Sequence, residues 1–206
     1  MTAEPTGARR QQAEERRAQI LDAACRVFSE KGFAGASMRD IARAVGVTEG
    51  LLYHYFDSKE QLIHATWKER SWRDSLERIL SVGDEVPLSV VLKEMASDFL
   101  HTLYKNGDMA RMCAAEMQRN EELAVHFLDK IQDNQKLIVE FFRKRQSLGE
   151  IKPTADVEMA AGLLMGFSYS VFLLFNRVNR QNWETLVADY VNRSVDLLLQ
   201  GISRED

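Results

Sequence analysis

Proline is nearly absent from this 206-residue chain, which has only Pro5, Pro87 and Pro153. No alternating, strand-like run lies between them, a pattern that favours an all-α fold over a sheet-based one. Cysteine is equally sparse. Cys25 and Cys113 stand far apart without C-x-x-C spacing, which leaves no metal knuckle or redox pair, and Cys25 reads as a small buried hydrophobe on the first helix. Positive charge is not in excess either, because the formal net charge is -4. Nucleic-acid binding would therefore have to rest on local charge placement, with the acidic excess lying beyond Asp57.

Other absences exclude whole function classes. G-x-S-x-G, H-E-x-x-H, P-loop and dinucleotide fingerprints are all missing, and no spacing pairs the carboxylates as acid and base. The chain is expected not to be an enzyme and to carry no cofactor. His101 and His126 lack metal-ligand spacing, so no metal is expected. The polar N-terminus has no apolar core or cleavage site for export, which makes the cytoplasm the expected location. The uncharged run Met159–Phe175 falls short of the roughly 20 apolar residues a membrane span needs, and Gly162, Gly166, Ser168 and Ser170 interrupt it. It reads as a helix buried on nearly all sides.

What the chain does have is concentrated between Ser37 and Lys59, SMRDIARAVGVTEGLLYHYFDSK. Ser37 and Asp40 match the S-x-x-[DE] capping pattern before a short helix with Ile41, Ala42 and Val45 inward. Gly46 supplies a tight turn and Thr48 caps the next helix, in which Leu52 and Phe56 pack inward. Glu49, Gly50, Tyr53 and His54 are left facing out. This is a helix-turn-helix. Before it, a helix from about Ala13 to Lys31 should end at Gly32. Residues 1–12, with Arg9 and Arg10, form either a flexible basic arm for DNA or a solvated tail.

The run IARAVGVTEGLLYHYFDSKEQL resembles the DNA-binding domain of TetR-family repressors, over about Arg17 to Leu62. The resemblance implies that Arg39, Glu49, Gly50 and Leu51 lie nearest the base edges. Arg39 is the expected guanine reader, since a guanidinium pairs with O6 and N7 together. Ser37, Thr48, Tyr53, His54, Tyr55 and Lys59 match phosphate-touching positions that fix register. Glu49 is unusual there, because a carboxylate is repelled by phosphates unless it accepts from a cytosine amino group.

Residues 13–57 are thus expected as the reader and 58–206 as an effector-binding and dimerisation domain, joined by a long helix reaching about Val82 and broken at Gly83 and Pro87. The body reads as helices near 88–104, 109–118, 121–148, 156–176 and 183–200. An effector pocket is expected among Met95, Phe99, Leu103, Met112, Glu116, Phe127, Ile131, Phe167, Phe172 and Phe175, which suits a lipophilic ligand, although plain core explains each of these residues too. Gly162, Gly166 and Ser170 make a smooth face. With Trp183, Tyr190, Val191 and Leu198, they are expected to form a four-helix homodimer interface; a monomer's central helix is the alternative. The functional expectation is a ligand-responsive regulator, generally a repressor, that binds a near-palindromic double-stranded operator as a dimer, with no membrane partner. The competing reading is a DNA-organising or protein-interaction factor with no small effector.

Overall fold

The structure, a computed structural model, describes residues 7–202. They form ten helices: α1 (Gly7–Gly35), α2 (Met38–Val45), α3 (Glu49–Tyr55), α4 (Lys59–Glu69), α5 (Arg73–Leu80), α6 (Leu88–Lys105), α7 (Gly107–Glu116), α8 (Glu121–Ser147), α9 (Val157–Phe175) and α10 (Arg180–Ile202). The fold is all-α, as the proline-poor sequence predicts. Of the expected N-terminal arm, residues 1–6 lie outside the described residues, and 7–12 are the first turns of α1 rather than an unstructured segment.

The chain divides into two compact units. The first comprises the chain up to Ser71 together with Asp108–Arg119, which carry most of α7. Here α1 packs on α2 and α4, and α3 on α2. Ile20, Leu21, Ala24 and Phe28 of α1 are buried, as are Ile41, Leu52, Leu62 and Ile63. Each large side chain so buried contributes about 1.5–3 kcal/mol.

Near its end α1 is kinked at Gly32, with φ 69° and ψ 169°, a conformation essentially confined to glycine. The kink frees the Phe33 N–H from the helical ladder, and the buried Glu116 carboxylate of α7 accepts it at 3.0 Å. Glu116, expected as a pocket residue, thus completes the end of a helix. Burial pushes the thiols of Cys113 and Cys25 up, as suits inert packing groups.

The expected long helix after Ser58 is in fact two. It breaks at Arg70, with φ -103° and ψ 12°. Trp72 begins α5 in the second unit, where it is buried against the Phe99 ring at 4.7 Å and donates its indole N–H to Asp98 at 2.7 Å. Ser75 donates to the same carboxylate oxygen at 2.7 Å. Trp72, at the start of α5, and Ser75 within it are thus tied to one acid of α6, and no proline or glycine marks the break before them.

The second unit comprises Trp72–Gly107 and the chain from Asn120 onward. In it α6 packs on α9, α10 and α5, while α8 packs on α9 and α5. Arg145 of α8 is fully buried and pins the turn before α6, donating to the Asp84 carbonyl at 3.0 Å and to Glu150 at 2.6 Å. Lys144 pairs with the Asp84 carboxylate beside it. His101 of α6 shares a hydrogen bond with Glu184 of α10 at 2.7 Å. Partial burial lowers the His101 pKa, but Glu184 and the Ser97 carbonyl outweigh it and raise it overall.

Within the single chain, 39% of an 18-residue window of α9 is buried. Ala160, Ala161, Leu164, Ser168, Val171 and Phe172 face the bundle, whereas Met159, Leu163, Phe167 and Leu174 are exposed along the opposite side. Among the described residues, it is the one helix long and apolar enough to cross a membrane.

Candidate nucleic-acid interface

The reader is built from local rules. Ser37 accepts from the Asp40 backbone N–H at 3.1 Å, while Asp40 accepts from the Ser37 N–H at 3.2 Å and its hydroxyl at 2.7 Å. This reciprocal capping box starts α2. Lys31 pairs with Asp40 at 2.8 Å and, with Ser37, pulls its carboxyl down to about 2. That depressed value contributes stability above the ordinary carboxylate range, and the contribution is lost as pH falls towards 2.

Gly46 ends α2 at φ 78° and ψ 35°, and its N–H reaches the Ala42 carbonyl at 3.0 Å. The left-handed conformation requires glycine. Two residues later Thr48 accepts from the Leu51 N–H at 3.2 Å and opens α3. Leu52 and Phe56 are buried beneath it. Ser58 caps α4 through Gln61 at 3.0 Å.

On the outer side lie Thr48, Gly50, Leu51, Tyr53 and His54, all exposed, with Tyr55 half-buried and edge-on to His54. A Cβ at Gly50 would meet open space, so nothing within the chain demands glycine there. Arg39 stands out from the first turn of α2, its side chain 74% exposed, and donates from Nε to the Glu49 carboxylate at 2.6 Å. This carboxylate holds the guanidinium pKa above its ordinary value. Arg43 is exposed one helical turn beyond Arg39, on the same side of α2. The i, i+4 spacing was available in the sequence, yet Arg43 is absent from the expected contact set.

Lys59 is placed differently from the expected phosphate contact. Its ammonium donates to the carbonyls of Phe33 at 2.8 Å and Ala36 at 3.1 Å and sits 4.3 Å from the Phe33 ring centre. It caps the C-terminal end of α1. Lys59→Ala is therefore expected to destabilise the first unit by about 1.5–3 kcal/mol, the range for charge-assisted hydrogen bonds, while leaving the salt dependence of DNA binding unchanged. Denaturant melts and a salt titration check this, and an unchanged melt with a flatter salt slope would restore the phosphate role.

The expected effector-pocket residues differ in burial and in the unit that holds them. Met112 and Glu116 belong to the first unit, and the other eight to the second. Met95 and Phe172 are fully buried, whereas Ile131, Phe167 and Phe175 are exposed at the surface. A depression of about 310 Å³ in the second unit is lined by Glu77, Leu80, Ser81, Leu137, Glu140, Phe141 and Lys144. The expected interface set is also corrected in part. Trp183 and Val191 are buried within their own unit, with Trp183 stacked on Tyr104 at 4.7 Å. Gly166 and Ser170 are exposed, and Gly162, Tyr190 and Leu198 half-buried. Tyr190 lies 4.9 Å from the Phe167 ring.

Residues 20–66 match the family described as "Bacterial regulatory proteins, tetR family", and residues 90–200 match "AefR-like transcriptional repressor, C-terminal domain". The chain belongs to the TetR family of transcriptional regulators. It is 30% identical over 160 residues to the transcriptional regulator UidR of Escherichia coli K12, covering 78% of this chain and 81% of that protein. Its fold is similar to that of GusR from Salmonella enterica, with a TM-score of 0.72, 30% identity, and coverage of 90% and 96% of the two chains. FadR from Bacillus subtilis, solved in complex with stearoyl-CoA, shares the fold with a TM-score of 0.73, 24% identity, and coverage of 90% and 98%. Like other TetR-family members, the chain joins a helix-turn-helix domain to a helical C-terminal domain.

Proposed function

We propose that this TetR-family regulator is a cytoplasmic repressor that binds a near-palindromic operator as a homodimer and is released by a small lipophilic effector. The observation that carries the reading is the outward polar side of α2 and α3. Arg39 and Glu49 stand on it beside Gly50 and Leu51, at the positions nearest the base edges. Ser37, Thr48, Tyr53, His54, Tyr55 and Arg43 surround them as phosphate contacts. A twofold dimer would bring two such heads to major grooves roughly 34–36 Å apart. The exposed apolar side of α9, continued by Tyr190 and Leu198 of α10, supplies the surface for that dimer.

A lipophilic effector suits a second unit whose interior is built from Met95, Leu100, Phe142 and Phe172. The same fold holds stearoyl-CoA in FadR of Bacillus subtilis. Such a ligand releases DNA only to the extent that it prefers the dimer with misspaced heads.

Selection of genomic fragments on the purified protein, followed by effector release, tests the whole reading. Enrichment of one two-fold-symmetric sequence is expected. Failure to enrich any sequence would favour a DNA-organising or protein-interaction role. On the selected operator, Arg39→Ala is expected to cost about 1–3 kcal/mol by losing a bidentate base contact. Equal affinity of mutant and parent in competition would remove Arg39 from the base-reading set.

A further inference from the structure

We propose that Glu49 is a positioning residue for Arg39 and not a reader of cytosine. It holds Nε of Arg39 so that the two Nη groups present a fixed edge to O6 and N7 of a guanine. The proposal rests on the reading of α2 and α3 as the DNA-facing side.

A guanidinium offers five N–H donors, one on Nε and four on the two Nη nitrogens. In this chain Nε is committed to Glu49 at 2.6 Å, and among the described residues the Nη groups of Arg39 make no hydrogen bond. The free edge is the one whose two parallel donors match the two acceptors of guanine in the major groove. The brace joins two helices, since Arg39 is the second residue of α2 and Glu49 the first of α3. Both backbones are set from below, by Met38, Ile41 and Ala42 on α2 and by Leu52 on α3, all buried. The guanidinium is thus tethered at both ends of a long, otherwise free side chain, and less freedom remains to be lost when DNA docks.

This arrangement also accounts for a carboxylate on a surface that faces phosphates. Glu49 lies in the first turn of α3, where the helix dipole favours negative charge. Its charge is matched by the guanidinium it holds. Entry into the groove lowers the local dielectric and strengthens the pair, so the brace tightens at the moment of reading. A cytosine-reading Glu49 would instead turn towards the base and leave Arg39 without its tether.

The test is site selection and competition binding with the parent, Arg39→Ala, Glu49→Gln and Glu49→Ala. The parent is expected to prefer G·C at one base pair per half-site by about 5- to 150-fold, as a bidentate contact does. Arg39→Ala should abolish that preference. Glu49→Ala should lose most of it at the same base pair, while Glu49→Gln, whose amide oxygen still accepts from Nε, should keep it. Glu49→Ala should also bind unrelated DNA more tightly at low salt, because a negative charge has gone. A change of preference at a different base pair in Glu49→Ala would make Glu49 a direct reader and overturn the proposal. So would an intact guanine preference in Glu49→Ala, which would leave only a surface ion pair. A parent that enriches no sequence would instead bring down the DNA-reading interpretation itself.

Discussion

Trp183→Ala is expected to lower the unfolding free energy of the second unit by about 3–5 kcal/mol, the range for emptying a buried Trp site. The ring has no exposed surface and stacks on Tyr104 at 4.7 Å with an interplanar angle of 17°. Tyr104 is held in turn by its hydroxyl, which donates to the Val178 carbonyl at 3.0 Å. Truncation therefore removes a large apolar area and also an aromatic pair worth about 0.5–1.5 kcal/mol beyond that area. Among the described residues, the buried Trp183 indole N–H has no hydrogen-bond partner. Trp183→Phe, which keeps most of the ring and removes that N–H, should therefore lose much less. Denaturant unfolding of both variants, followed by near-UV dichroism, checks this. If Trp183→Ala unfolds at the parent's midpoint, the ring is not part of the core. Sedimentation adds an independent readout, because a core substitution at sub-denaturing conditions should leave the assembly mass unchanged.

The same residue shows where the sequence was readable and where it was not. Trp183, Val187, Val191 and Val195 recur every fourth position and are all buried, and so form the inner stripe of α10. Tyr190, Leu197 and Leu198 lie off that stripe, with Leu197 71% exposed. Periodicity announces that such a helix has two apolar sides, but it does not say which belongs to the chain's own core. The reader, by contrast, was legible almost residue by residue. Ser37, Gly46, Thr48 and Ser58 each act within four residues of themselves, and short-range capping is what a linear sequence encodes.

What the sequence concealed are long-range partners. Lys59 ends on carbonyls 26 and 23 residues away, Glu116 accepts from a backbone N–H 83 residues away, and Trp72 donates to Asp98, 26 residues away. None of these pairings leaves a local pattern. The differing burial of the expected pocket residues has the same cause. Apolar character marks Met95 and Phe172, which are buried, as strongly as Ile131 and Phe175, which are at the surface. Whether a side chain faces a core, a cavity or solvent is decided by tertiary packing.

Leu163→Asp is expected to convert the protein to a monomer at micromolar concentration, and with it to abolish operator binding. Leu163 lies midway along the exposed side of α9, 57% accessible, between Met159 at 58% and Phe167 at 56%. In a twofold dimer this substitution would enter the interface twice and place two like charges near the symmetry axis. An uncompensated charge in a dry interface costs about 3–5 kcal/mol, enough to weaken dimerisation by about two to four orders of magnitude. The fold should survive, because α9 packs on the bundle through Ala160, Ala161, Leu164, Ser168 and Phe172 on its other side. Thermal unfolding of the variant monomer should therefore remain cooperative. DNA binding should fall because each head reads one half-site, and two linked heads gain affinity over one through effective concentration. Analytical ultracentrifugation separates the outcomes. A parent that sediments as a monomer would defeat the dimer proposal outright. A Leu163→Asp variant that stays dimeric would move the interface elsewhere on the chain. A variant that becomes monomeric yet retains full operator affinity would show that one head alone accounts for binding, and the near-palindromic operator would lose its physical basis.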